Sequence, residues 1–149
     1  AEYDGPVYLR FGRGGVPVIH GEDYQFKIGK AEVLRDGGNG CATGDGGAGD
    51  GGSNGRDVAI IACGVMVEAA LAAADMLAAE GIAARVINMA TVKPLDEEAV
   101  RAAAVQTGAI VTAEEHSVIG GLGAAVAEYV VGNGNCPVPV EMVGLQPSC

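Results

Sequence analysis

Tryptophan is absent from this chain of 149 residues, and Tyr and Phe bring the aromatic share to only 4%. Because 49% of the residues are nonetheless hydrophobic, the core must be assembled from Ala, Val, Ile and Leu, side chains that let helices pack closely on a sheet. Positive charge is scarce as well: nine Lys and Arg stand against nineteen Asp and Glu, a net charge of −10. A surface this acidic repels phosphate backbones and argues against nucleic-acid binding. The four cysteines, Cys41, Cys63, Cys136 and Cys149, form no Cys-x-x-Cys pair. They read as free thiols in a reducing compartment rather than as a disulfide framework. The opening Ala-Glu-Tyr-Asp-Gly-Pro has no basic n-region, and no apolar run approaches the roughly 20 residues of a membrane helix. The expectation is a soluble, cytoplasmic protein that binds neither membrane nor nucleic acid. Histidine occurs only twice, as His20 and His116, so no Ser/His/Asp triad or metal-ligand set can be assembled.

What is present is a β/α alternation. A length of 149 residues allows one ordinary domain, burying roughly two-thirds of its unfolded surface. Near the start, Val7–Phe11 is a short β-type run, residues 16–25 read as a connector, and Ile28–Leu34 is a second candidate strand. Residues 37–55 contain ten glycines in nineteen positions; such a stretch cannot bury enough surface to offset its ordering entropy, and it reads as a flexible surface loop. From there the periodicity is regular. Strands are predicted at 57–63, 84–89, 109–113 and 138–143, with helices at 66–80, 97–106 and 122–131. Gly81 sits where a helix C-terminal cap belongs, and Asp96 is a suitable N-cap, followed by Glu97 and Glu98 in the first turn. The order predicts right-handed crossovers and an α/β fold: three layers, α/β/α, around a mainly parallel sheet of about five strands.

Several motifs invite a chemical reading and have a plainer one beside it. Gly44-Asp45-Gly46 resembles a cofactor-binding turn, but no strand precedes it and no Asn pair follows; it reads as solvated linker. Gly120-Gly121-Leu122-Gly123 opens a helix and offers backbone N–H groups to an anion, although glycine equally permits close strand–helix packing. Glu114-Glu115-His116 follows a strand at the carboxyl end of the sheet, where α/β proteins place ligand contacts; Glu115 and His116 are candidates for a near-site or interface role. Arg13 lies in a Gly-rich turn, and a guanidinium fork there suits a phosphate.

The sequence resembles the transketolase family, especially the C-terminal subunits of split transketolases. The resemblance is carried by Gly-Pro-Val-Tyr-Leu-Arg-Phe-Gly-Arg (5–13), Val-Pro-Val-Ile (16–19) and Phe-Lys-Ile-Gly-Lys-Ala (26–31). It continues in Asp-Val-Ala-Ile-Ile-Ala-Cys-Gly (57–64), Ile-Asn-Met-Ala-Thr-Val-Lys-Pro-Leu-Asp (87–96) and Thr-Ala-Glu-Glu-His-Ser-Val-Ile-Gly-Gly-Leu-Gly (112–123). It implies transfer of a two-carbon ketol unit between sugar phosphates, as in the pentose phosphate pathway, using thiamine diphosphate and Mg²⁺ in a complete enzyme. It implies residues 1–20 as the tail of a pyrimidine-binding domain with its linker, and 21–149 as the transketolase C-terminal domain. Arg13 matches the family arginine that binds the substrate's phosphate. The implied partners are the thiamine-binding and pyrimidine-binding domains or subunit, in a homodimer or a heterotetramer.

The departures from the family pattern are specific. The glutamate that activates the cofactor and the metal–diphosphate motif are not in this chain; residues 37–55 stand where the family has a short turn; and the chain ends before the family's final helix. No catalytic, metal-binding or cofactor-binding residue is therefore expected here, and the chain is expected to be inactive alone. Two alternatives stay open: a non-catalytic α/β interaction module, and the matching domain of a deoxyxylulose-phosphate synthase or of a 2-oxoacid dehydrogenase β subunit.

Overall fold

In the computed structural model, residues 4–10, 12, 14–37, 57–132 and 136–147 are described. Five strands and three helices follow in the order β1 (Glu32–Asp36), β2 (Val58–Ala62), α1 (Met66–Ala79), β3 (Ala84–Asn88), α2 (Glu97–Gln106), β4 (Ile110–Ser117), α3 (Leu122–Gly132) and β5 (Val140–Leu145). The sheet order is β1-β3-β2-β4-β5. β2 pairs in parallel with both β3 and β4, and β4 in parallel with β5. Only the edge strand β1 runs antiparallel, against β3. The expected mainly parallel α/β sheet is therefore present.

The central strands are buried on both faces, which is why their sequences read as unbroken apolar runs rather than alternations. Ala59 and Ile61 point to the layer of α2 and α3, where they meet Ile87, Val100, Ala103, Ile110, Leu122 and Val126. Ile60 and Ala62 point to α1, where they meet Val67, Ala70, Ala74 and Val86. Each fully buried Ile or Val contributes about 1.5–3 kcal/mol from area removed from water. The small residues on α1 bring its axis close to the sheet.

The breaks fall where the backbone requires them. Gly64 (φ +57°) ends the β2 run and Gly81 (φ +80°) follows α1, both in the left-handed region that glycine occupies without a Cβ penalty. Asp96 caps α2 by accepting from the Ala99 N–H through its side chain.

Four expectations need correction. Val7–Arg10 forms no strand: among the described residues no strand pairs with it, Val7, Tyr8 and Leu9 are exposed, and Phe11 lies outside the described residues. The second strand begins at Glu32 rather than Ile28, since residues 29–31 are engaged with the loop before α2. β4 runs on to Ser117, and the last strand is Val140–Leu145 rather than 138–143. The glycine-rich stretch, with Gly44-Asp45-Gly46, lies outside the described residues from position 38 to 56.

Candidate functional site

The carboxyl end of the sheet collects the chemistry-bearing residues. From β2 the chain crosses by α1 to β3 on one side, and from β3 by α2 to β4 on the other. The connections beyond β2 and β4 therefore diverge, opening the crevice where ligands of open α/β sheets sit. Cys63-Gly64-Val65 form one lip and the end of β4 the other.

Glu114 dominates that second lip. It is buried, with 4% of its surface exposed, and its two carboxylate oxygens accept from the Leu122 and Gly123 N–H groups at 2.8 Å each. The first turn of α3 is thus an anion cradle whose anion is supplied by the chain itself. The glycines make this closure sterically feasible. A Cβ on Gly121 would lie 1.9 Å from Glu114 Oε2, and one on Gly123 would lie 2.8 Å from Met142 and from Thr112 Oγ1. Close packing and anion capture, the two readings of Gly120–Gly123, are therefore one arrangement.

Glu115 and His116 point outward. His116 is exposed, with Nδ1 2.9 Å from the Ser117 carbonyl oxygen and 3.9 Å from Glu114 Oε2. It is a surface histidine beside the crevice, free to meet a neighbouring surface. Cys63 is half-buried, and burial, reinforced by the Glu114 charge, pushes its thiol above the ordinary range. It is consequently a poor nucleophile. Cys63 and Cys136 are free thiols; Cys41 and Cys149 lie outside the described residues.

Two of the sequence motifs turn out to be one structural unit. Gly29 N donates to Thr91 Oγ1 at 2.9 Å, and Ala31 N donates to Asp96 Oδ2 at 2.9 Å. Lys30 Nζ donates to Glu98 Oε2 at 2.8 Å and stands 3.8 Å from Asp96. The Glu98 hydrogen bond and the two carboxylate charges raise the ammonium's pKa. The segment 26–31 is thus clamped onto 91–98, across more than sixty positions of sequence.

A further cluster went unread in the sequence. His20 stacks on Tyr24 with ring centroids 3.7 Å apart and planes within 10°. Its Nδ1 lies 3.2 Å from Glu32 Oε2 and its Nε2 3.3 Å from the Asn88 amide nitrogen. The available signal was Asn88, a polar residue inside the buried run Val86–Met89, for which a partner had to exist. Upstream, Val16, Pro17 and Ile19 lie along Gly64, Val65, Val67 and Glu68, enclosing a hollow of about 310 Å³. Arg13 lies outside the described residues.

Among the described residues no three His, Cys, Asp or Glu side chains converge on a metal position, and no nucleophile–base pair forms. No described helix is long and apolar enough to cross a membrane. The geometry is that of a scaffold whose carboxyl end presents a crevice, an N-terminal arm and an exposed His–Glu pair.

Residues 48–148 match the family described as transketolase, C-terminal domain. The chain is 48% identical, over 97% of its length, to a 6-deoxy-6-sulfo-D-fructose transketolase subunit of Clostridium sp. (strain MSTE9), of which it covers 38%. It is 43% identical, over 97% of its length, to an apulose-4-phosphate transketolase subunit of Phocaeicola vulgatus, covering 40% of that protein. It is 41% identical, over 96% of its length, to 1-deoxy-D-xylulose-5-phosphate synthase 1 of Geobacter sulfurreducens, covering 20%. Among solved structures, a split-gene transketolase in an inactive β4 tetramer superposes with a TM-score of 0.75 at 46% identity, over 91% of this chain and 38% of that one. The chain thus spans about two fifths of the length of the transketolase subunits it matches.

Proposed function

The chain belongs to the transketolase C-terminal domain family, and we propose that it is the C-terminal part of a transketolase moving a two-carbon ketol unit between phosphorylated or otherwise acidic sugars. The observation that carries this reading is the identity of 43–48% across nearly the whole chain to subunits of such enzymes. In the complete enzyme thiamine diphosphate, with Mg²⁺, would supply the carbanion chemistry. The described residues do not fit that group. The cradle at α3 is filled by Glu114, and among the described residues no carboxylate set converges on a metal. On this reading the cofactor sits in the thiamine-binding and pyrimidine-binding parts of the assembly.

What this chain would contribute is an edge of the substrate site and an interface. Arg13 would hold the substrate's anionic end as a guanidinium fork. The exposed Val7, Tyr8 and Leu9 would complete their backbone bonding in the pyrimidine-binding domain. Glu115 and His116 would meet the neighbouring domain or subunit across the crevice. That the relatives are named as subunits, and the solved neighbour as a tetramer, supports an assembly of several chains; our reading is a homodimer or a heterotetramer acting in the cytoplasm.

The test is calorimetric titration of thiamine diphosphate with Mg²⁺ into the chain alone and into its mixture with the thiamine-binding subunit. Binding and ketol transfer only in the mixture are expected. Tight binding by the chain alone would overturn the division of labour. In the active mixture, Arg13→Ala should raise KM for phosphorylated sugars at least tenfold more than for unphosphorylated ones. Equal effects would remove Arg13 from the phosphate site.

The similarity to a 1-deoxy-D-xylulose-5-phosphate synthase supports a second reading, in which the same domain serves condensation of a 2-oxoacid with an aldose phosphate. Carbon dioxide release from pyruvate by the mixture, without ketol transfer, would favour it.

A further inference from the structure

Besides the packing of Ile19 on the α1 side of the core, the connector between the N-terminal arm and the sheet is held by polar contacts at two points. One is the clamp of residues 29–31 on Thr91 and Asp96. The other is His20, and it is the more demanding of the two. Asn88, the last residue of β3, is buried and stands in register with Glu32, the first of β1. With the Asn88 amide nitrogen donating to Nε2, the imidazole carries its proton on Nδ1, facing Glu32 Oε2. That carboxylate oxygen is buried and makes no aligned hydrogen bond, so at 3.2 Å it faces the ring as a close polar contact only. One ring thus bonds the amide of β3 and stands against the carboxylate of β1, while its face covers Tyr24. The pKa of the Tyr24 hydroxyl is itself raised by burial and by the Glu32 charge. The Asn88 bond matters because a buried amide without a partner costs about 1–3 kcal/mol.

We propose that His20 is a positioning residue, the pin that fixes the connector to the carboxyl end of β3 and thereby sets where the arm bearing Arg13 begins. This rests on the reading that Arg13 meets the substrate's anionic group. Arg13 stands seven positions before His20 and sixteen before Gly29. Val16, Pro17 and Ile19 lie against the amino end of α1 in the same path, so the pin also registers that contact.

The experiment compares His20→Ala and His20→Phe with the parent chain; Phe keeps the stack on Tyr24 and loses both polar contacts. Tryptic cleavage after Lys27, between the two anchors, is expected to accelerate at least tenfold in both variants, with unfolding temperature lowered by only a few degrees. Unchanged cleavage overturns the proposal. In the active mixture both variants are expected to raise KM for phosphorylated sugars at least about threefold, leaving kcat and the unphosphorylated KM within twofold. Faster cleavage without that selective KM change also overturns it. Arg13→Ala run beside them separates the two readings. If it lacks phosphate selectivity while His20→Ala retains it, the Arg13 assignment fails and the pin stands; the reverse pattern removes the pin alone. Nitrogen NMR of the imidazole should show the proton on Nδ1, and an Nε2–H tautomer would contradict the pairing.

Discussion

At the scale of single residues, Glu114 shows how a side chain's role depends on which way the strand end turns it. In the sequence it stands beside Glu115 and His116 and reads as one of three polar neighbours. In the structure it turns inward, closing the first turn of α3, while Glu115 and His116 face out. Simple alternation does not give this split, since Glu115 and His116 are both exposed where the β4–β5 register shifts beyond Ala113; Glu114 goes inward because Gly121 and Gly123 leave room for it. Glu114→Ala leaves two buried N–H groups without an acceptor, and a loss of about 2–4 kcal/mol in urea unfolding is expected. Gly123→Ala should cost about 1–3 kcal/mol by the same measurement, because the new methyl meets Thr112 and Met142 at 2.8 Å. For Cys63 the raised thiol predicts slow alkylation at pH 7–8. The rate should keep climbing above the ordinary thiol value of 9.0, because only the thiolate reacts and burial disfavours it. An iodoacetamide rate at pH 7.5 equal to that of an unstructured cysteine peptide would contradict this.

At the scale of elements, Asp96 links a helix to a distant segment. Its Oδ1 caps α2 through Ala99 N, and its Oδ2 receives Ala31 N. Asp96→Ala removes both, so the cost should exceed that of an ordinary cap, reaching about 2 kcal/mol or more. Asp96→Asn keeps one acceptor and should lose about half as much; equal losses in thermal unfolding would show that only one of the bonds matters. The cap itself was legible in Lys93-Pro-Leu-Asp-Glu-Glu, since capping is local. So were β2, α1 and β3, whose periodicities are set by burial on both faces or along one stripe. The partner of Oδ2 was not legible, because nothing near Asp96 in sequence points to Ala31. The start of β1 was misplaced for the same reason: Ile28–Ala31 has strand-like composition, yet its backbone groups are taken by Thr91 and Asp96. His20 escaped notice because its partners, Glu32 and Asn88, are brought to it only by the antiparallel pairing of β1 with β3. Local pattern thus delivered the elements and the layer order, while the site depended on pairings that only the assembled sheet creates.

At the scale of the whole molecule, the sheet order decides what the glycine-rich stretch has to accomplish. β1 and β2 both flank β3, and their facing ends lie at its amino end: Asp36 opposite Arg85, and Val58 opposite Ala84. Two strand spacings of about 4.8 Å put those ends roughly 10 Å apart. Twenty-one residues, 37–57, join them. Deleting 38–54 leaves four, Gly37, Gly55, Arg56 and Asp57, whose five Cα–Cα steps can reach about 17 Å when extended. The shortened connection therefore closes without strain, and it keeps Asp57, which accepts from Ala83 N at 2.8 Å. The ion pairs that hold β1, Arg85 with Asp36 at 2.6 Å and Arg35 with Asp75, lie outside the deletion. Shortening a loop about fivefold lowers its closure entropy by about 1.4 kcal/mol. The deletion should leave expression unchanged and raise the unfolding temperature by a few degrees. A fall of several degrees, or insoluble expression, would mean that residues 38–54 make contacts the fold depends on. An unchanged fold with lost ketol transfer in the mixture would instead place the segment's role in the assembly with its partner subunit.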